Sequence, residues 1–201
     1  MQFTSAVVEQ AVEALSGFPG IGKRSALRMV MHLLKRPEAE VANLADAVLK
    51  LKTELHLCKV CGNVSDSNVC NVCSNPSRDA SVVCVVEDFN DQMSIESTSQ
   101  YHGTYHILGG LISPMDGIGP EELNIQSLTE RVAAGTIKEL IMAFSATVEG
   151  DTTTYYLARK FRDLPVKISC ISRGIAIGGE IAYADELTLG RSIVNRTEYK
   201  M

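Results

Sequence analysis

Apolar residues recur along the first third of the chain at helical spacing. Val7, Val8, Ala11, Val12 and Leu15 share one face, and Gly17 follows as a stop signal. A second run, Ala26, Met29, Val30, Leu33 and Leu34, ends before Pro37, and a third runs from Val41 through Leu44, Ala45, Val48 and Leu51 to Leu55. The three runs predict three amphipathic helices. From Cys58 to Arg78 the pattern breaks into Cys, Asn, Ser and Gly. Such a stretch cannot bury a core by itself and needs an external staple.

From Ser81 the period changes again. SVVCVVE is a short β-branched run ending in an acid and reads as a buried strand. Helices are expected over 91–99, 123–132 and 152–161, and strands over 105–108, 139–143 and 166–171. This alternation implies a mostly parallel sheet with helices on its faces. The C-terminal GGEIAYADELTLGRSI predicts one more strand and a last helix. The expected fold class is therefore a multi-part mixture of α+β and α/β. Its parts are a helical N-terminal region (1–56), a small cysteine module (57–78), an α/β sheet (79–174) and a strand-helix tail (175–201).

A length of 201 residues suits one or two compact domains. Aromatics make up 5% and Trp is absent, so the core is expected to be aliphatic. There is no long uncharged apolar run, which rules out a membrane-spanning helix. The first residues carry Glu9 and Glu13 and no basic run, unlike a signal peptide. A cytoplasmic location follows as the expectation, and six cysteines there read as metal ligands or free thiols. A net charge of −5 argues against a nucleic-acid binder at first sight. However, residues 1–57 hold seven basic and six acidic side chains, leaving twelve and eighteen downstream. Three of the cations, Lys23, Arg24 and Arg28, fall close together, so a basic spot sits on an acidic chain.

The sharpest motif is Cys58-Lys-Val-Cys61 followed by Cys70-Asn-Val-Cys73. Each Cys-x-x-Cys knuckle wraps two thiolates around one ion, and two knuckles complete a closed tetrahedral site. Four soft ligands with no open position describe structural zinc, with Zn–S distances of about 2.3 Å. A reduced thiol cluster, a disulfide pair or an iron–sulfur site are the competing readings. Gly62 supports a tight knuckle turn. His56 lies close to Cys58, but the four histidines form no metal pattern. Cys84 and Cys170 fall within apolar strand patterns and read as inert core thiols.

The second motif, Phe18-Pro-Gly20-Ile-Gly22-Lys23-Arg24, lies between two helices. Gly20 and Gly22 let the backbone approach a ligand closely, and helix-start amides with Lys23, Arg24 and Arg28 beside them suit an anion. This is the layout of a helix-hairpin-helix that grips phosphate without reading bases, with Phe18 and Ile21 as an apolar staple. The plain alternative is a helix cap and a turn with solvated charges. The same stretch also fits Walker A spacing, with Asp185 as a Walker B partner. Against that, Arg24 stands where Mg²⁺ needs a hydroxyl, Pro19 offers no N–H, and a helix instead of a strand precedes the loop.

The third group comprises acids at strand ends: Glu87, and Glu149 and Asp151 in SATVEGDTT. If they converge they could hold Mg²⁺ through oxygen ligands. Otherwise they serve as helix caps, Asp151 for the helix over 152–161, or as a polar surface for a protein partner.

In this order, FPGIGKRSALR, CKVC…CNVC, the VVE strand end, TVEGDTTTYYLAR and RGIAIGGEIAYADELTL resemble the RecR family of bacterial recombination mediators over essentially the whole chain. The resemblance implies a Toprim fold for the middle region and a Walker B-like oligomerisation tail. In catalytic Toprim domains one Glu is followed by an Asp-x-Asp pair. Glu87 matches the Glu, but Glu149-Gly150-Asp151 departs from the pair, which agrees with a family regarded as non-enzymatic. A Toprim-type Mg²⁺-dependent nuclease or primase-like enzyme is the alternative. The resemblance further implies a tetrameric ring clamped around DNA, near the nucleoid. It would work with RecO and RecF to load recombinase onto SSB-coated single strands. Lys23, Arg24 and Arg28 would then face DNA, and Glu149 with its acidic neighbours would face RecO.

Overall fold

The computed structural model describes residues 3–198. The chain divides into two compact units, residues 1–55 and residues 56–201. The described part of the first holds three helices: α1 (Ala6–Ser16), α2 (Lys23–Leu33) and α3 (Glu38–Thr53). Helix α1 stops where the Gly17 N–H donates back to Glu13 O at 3.2 Å and Ala14 O at 3.3 Å. Helices α1 and α2 pack through buried Val12, Ala26 and Val30, with Val8, Ala11, Leu15 and Ile21 around them. The apolar spacing seen in the sequence is therefore the spacing of their shared seam. Pro37 precedes α3, Glu38 and Glu40 lie in its first turn, and Lys50 and Lys52 lie in its last, an arrangement that suits the helix dipole. Even so, α3 buries no residue of its own and leaves Leu44, Val48, Leu49 and Leu51 exposed.

The second unit opens with a short antiparallel pair, β1 (His56–Leu57) and β2 (Val64–Ser65), then α4 (Asn71–Ser74). A four-stranded parallel sheet follows: β3 (Asp79–Val86), β4 (Gly103–Ile107), β5 (Glu139–Ala143) and β6 (Lys167–Cys170). Its spatial order is β4-β3-β5-β6. The crossovers carry α5 (Phe89–Ser97), α6 (Ile125–Ala133) and α7 (Val148–Lys160). Two 3-10 turns, Pro114–Asp116 and Pro120–Glu122, precede α6.

The β3 sequence explains the layering. Val83 and Val85 point to one face and pack with Leu128 and Val132 of α6 and Leu157 of α7. Cys84 and Val86 point to the other, with Tyr105, Ile107 and Ile95 of α5. A central parallel strand is covered on both sides, hence the unbroken apolar run. From β3 the chain moves outward to β4 and then returns to β5, so the order reverses between β3 and β5. The carboxyl ends of these two strands flank the crevice where open α/β sheets collect ligands.

In the tail the chain forms a 3-10 turn (Ile181–Tyr183) and α8 (Glu186–Val194). The expected final strand is absent among the described residues. Gly178 turns the chain with φ of 82°, and Ile177 beside it is fully exposed, so no sheet edge receives this segment.

Candidate zinc centre and nucleic-acid interface

Cys58 and Cys61 bracket the turn out of β1. The Gly62 N–H donates to Cys58 O at 2.9 Å, and Gly62 takes φ of 76°, a left-handed value that other residues adopt at a cost. The Cys58 N–H bonds Asn63 O at 2.7 Å, closing the first knuckle. Cys70 caps α4, and Cys73 lies within that helix. All four sulfurs lie within 4.8 Å of one another. Backbone amides point at them: Cys70 N–H to Cys58 Sγ at 3.3 Å and Cys73 N–H to Cys70 Sγ at 3.5 Å.

Burial opposes ionisation of Cys58, but amides of Cys70, Cys61 and Val60 outweigh it and hold the thiol at about 6. Cys61 is pushed far up, first by its hydrogen bond to Cys73 and then by burial. Burial also raises Cys70, and the neighbouring Cys61 adds to the rise. Four thiolates this close cannot all ionise unaided, and a dication removes that conflict. The donor set, the spacing and the amide bonds fit tetrahedral zinc held by Cys58, Cys61, Cys70 and Cys73. His56 is exposed on β1 and pairs in register with Ser65, outside the sulfur group.

The module is docked on the sheet. The β4 residue Ile107 donates its N–H to Cys61 O at 2.7 Å, and Val72 of α4 packs with the β3–β4 core. Two further residues, not singled out by the sequence patterns, define this seam. His106 on β4 is fully buried and meets Asn124 O through Nε2 at 2.8 Å, which makes Nε2 the protonated nitrogen. Arg131 of α6 reaches back to Tyr105 O at 2.8 Å and to His106 Nδ1 at 3.4 Å. Neither has a local signature, because each is defined by a neighbour far away in sequence.

In the helical unit, Gly20 takes φ of 78° and Gly22 caps α2 in an extended conformation. No side chain caps the helix, and its first backbone bond is Ala26 N–H to Gly22 O at 3.0 Å. The amides before Ala26 are the helix's orphan donors. Lys23, Arg24 and Arg28 are all exposed, and none forms an ion pair among the described residues. The helix α1 precedes the loop, unlike a P-loop. Phe18 does not act as a staple: it is 53% exposed, and a backbone bond from Ile21 N–H to Phe18 O at 3.1 Å closes the turn.

The strand-end acids do not gather. Among the described residues, the four cysteines are the one group of ligand atoms close enough to share an ion. Glu87 follows β3, where burial and the charges of Asp91 and Asp88 push its carboxyl up. Glu149 and Asp151 lie in the first turn of α7. Asp151 is not its cap; Thr147 is, accepting from Gly150 N–H at 3.1 Å. The Asp151 carboxylate instead meets Arg173 at 2.5 Å and Arg191 at 3.8 Å. Between the two acids a Cβ on Gly150 would lie 2.1 Å from Ser145 O, so only glycine fits this start of α7. Cys84 is buried, which pushes its thiol up to about 12, but Cys170 is exposed, because β6 is an edge strand and its last residue lies at the sheet rim.

Family models match four segments: RecR, helix-hairpin-helix over residues 8–51; RecR, four-cysteine zinc finger domain over 55–75; Toprim domain over 81–172; and RecR, C-terminal over 174–197. The chain is 54% identical to Recombination protein RecR of Bacteroides thetaiotaomicron, over 98% of this chain and 96% of that protein. It is 48% identical to Recombination protein RecR of Flavobacterium johnsoniae, over 100% and 97%. It is also 48% identical to Recombination protein RecR of Amoebophilus asiaticus, over 99% and 100%.

Proposed function

The chain belongs to the RecR family of recombination proteins, and on that premise we propose that it is a non-enzymatic DNA clamp in recombinational repair. The observation that carries this reading is the start of α2. Uncapped amides behind Gly20 and Gly22, with Lys23, Arg24 and Arg28 beside them free of ion pairs among the described residues, suit a phosphate, a group that carries no sequence information. Binding is therefore indifferent to sequence.

One hairpin makes few contacts, so grip depends on repetition in an oligomer, with a tetrameric ring as the proposed form. The exposed apolar residues of α3 and of the tail, including Ile177 and Tyr183, support burial between copies. In this division of labour residues 1–56 hold DNA, 57–78 form the zinc module, 79–174 the Toprim body and 175–201 the oligomerisation tail. The clamp works in the cytoplasm, at the nucleoid. Its partners are RecO and RecF, with which it helps load recombinase onto SSB-coated strands. Glu87 and Glu149 supply the acidic partner surface, and Asp151 joins it only when released from Arg173.

The test is DNA binding by the double variant K23A/R28A. Affinity falls by a similar factor on unrelated sequences. Unchanged affinity, or a loss confined to one sequence, overturns the reading.

A further inference from the structure

Arg131 lies on α6 with its guanidinium turned under the edge of the sheet. It donates to Tyr105 O at 2.8 Å and to Thr104 Oγ1 at 3.4 Å, and its head lies 3.4 Å from His106 Nδ1. All these partners are uncharged. Arg131 forms no ion pair with a carboxylate among the described residues. Arg131 is half-buried, and a guanidinium partly shielded from water without a counter-charge carries a desolvation cost. The groups whose ionised forms would oppose the effect of its burial are the sulfurs of Cys73, Cys61 and Cys58, with Tyr101 contributing less. The geometry agrees: β4 holds Arg131 at residues 104–106, and Ile107 on the same strand bonds Cys61 O.

A zinc ion held by four thiolates leaves a net charge of about −2. Three of these cysteines are buried, so this excess is shielded from water. We propose that Arg131 is the counter-charge of the zinc centre, a positioning residue that offsets the tetrathiolate's negative charge from the sheet side. Each group supplies what the other lacks: a half-buried cation without a carboxylate among the described residues, and a largely buried tetrathiolate with an excess of negative charge. The seam between finger and sheet is then electrostatic as well as packed. This rests on zinc occupying the four cysteines.

The experiment compares full-length wild type, R131Q and R131K by zinc competition against a chromophoric chelator and by the thiolate-to-metal band of the Co²⁺-loaded chains. Wild type must first bind one zinc per chain; if it binds none, the zinc assignment fails, and not the role of Arg131. Outer-shell partners typically change metal affinity by about 10–100-fold. R131Q is expected to bind zinc at least about tenfold more weakly and to shift the Co²⁺ band, and R131K to recover most of both. Zinc affinity within about twofold of wild type in R131Q overturns the proposal. So does equal loss in R131K and R131Q, which would make the role one of shape. Should R131Q not fold, R131K decides alone: near-wild-type zinc affinity supports the counter-charge, and a tenfold loss overturns it.

Discussion

His106 is a base buried beside a cation, and its titration follows from that. Burial, with a smaller contribution from Arg131, lowers its pKa from 6.5 to about 4. The unfolded chain therefore takes up a proton first as pH falls, and stability drains between about pH 6.5 and 4. The full difference is roughly 3 kcal/mol. Urea melts across this range are expected to show a falling midpoint in wild type and a flatter one in H106Q. A parallel decline in both would assign the acid sensitivity elsewhere. Thr153 is a second single-residue test. Its hydroxyl accepts from Ile112 N–H at 2.9 Å and donates to Glu149 O at 2.8 Å in the core. T153V strands a buried amide, and chemical denaturation should show a loss of about 1–3 kcal/mol. The cysteines and the α2 cations are legible in the sequence because each set is local. His106, Arg131 and Arg173 are not, because their partners lie 18 or more positions away. The same cause makes Asp151 look like a cap when it is none: the helix begins earlier, at Val148, and Arg173 claims its carboxylate.

Among the elements, the zinc module does more than fold itself. Strand β4 is an outer strand of the sheet, and such edges are hazards unless covered. Cys61 O covers one of its amides, and α4 packs beside it. Structural zinc contributes about 10–16 kcal/mol to folding in modules of this kind. Chelation, or C61S, is expected to unfold residues 58–73 and to expose β4. Hydrogen exchange should report lost protection at Ile107 together with the finger amides, and protection that survives zinc removal would refute this coupling. Helix and strand periods are readable for α1 to α3 and for β3 to β6, where burial is regular. The tail is not, because β-branched spacing cannot tell whether an edge exists to receive a strand. Among the described residues the outer edge of β6 is open, yet Gly178 turns the chain and Ile177 stays exposed, so this segment does not join it.

For the molecule as a whole, the net charge of −5 conceals two populations. Among the described residues, cations free of ion pairs crowd one helix start, and the strand-end acids around the sheet's switch point form no group close enough to share an ion. A clamp uses the first to hold a phosphate backbone and the second to meet proteins; a Toprim nuclease needs the second to converge on a metal. With Mg²⁺ or Mn²⁺, supercoiled plasmid is expected to stay intact, and nicking lost in E87Q would favour the enzyme. Light scattering should find a mass several times the 21.8 kDa chain, since a ring needs closure. The most direct test of the phosphate grip is the salt dependence of DNA affinity. Each backbone contact contributes about −0.9 to the slope of log affinity against log salt. K23A/R28A is expected to flatten that slope by about 1.8 or more relative to wild type, on any duplex sequence. An unchanged slope would mean that α2 does not hold the DNA.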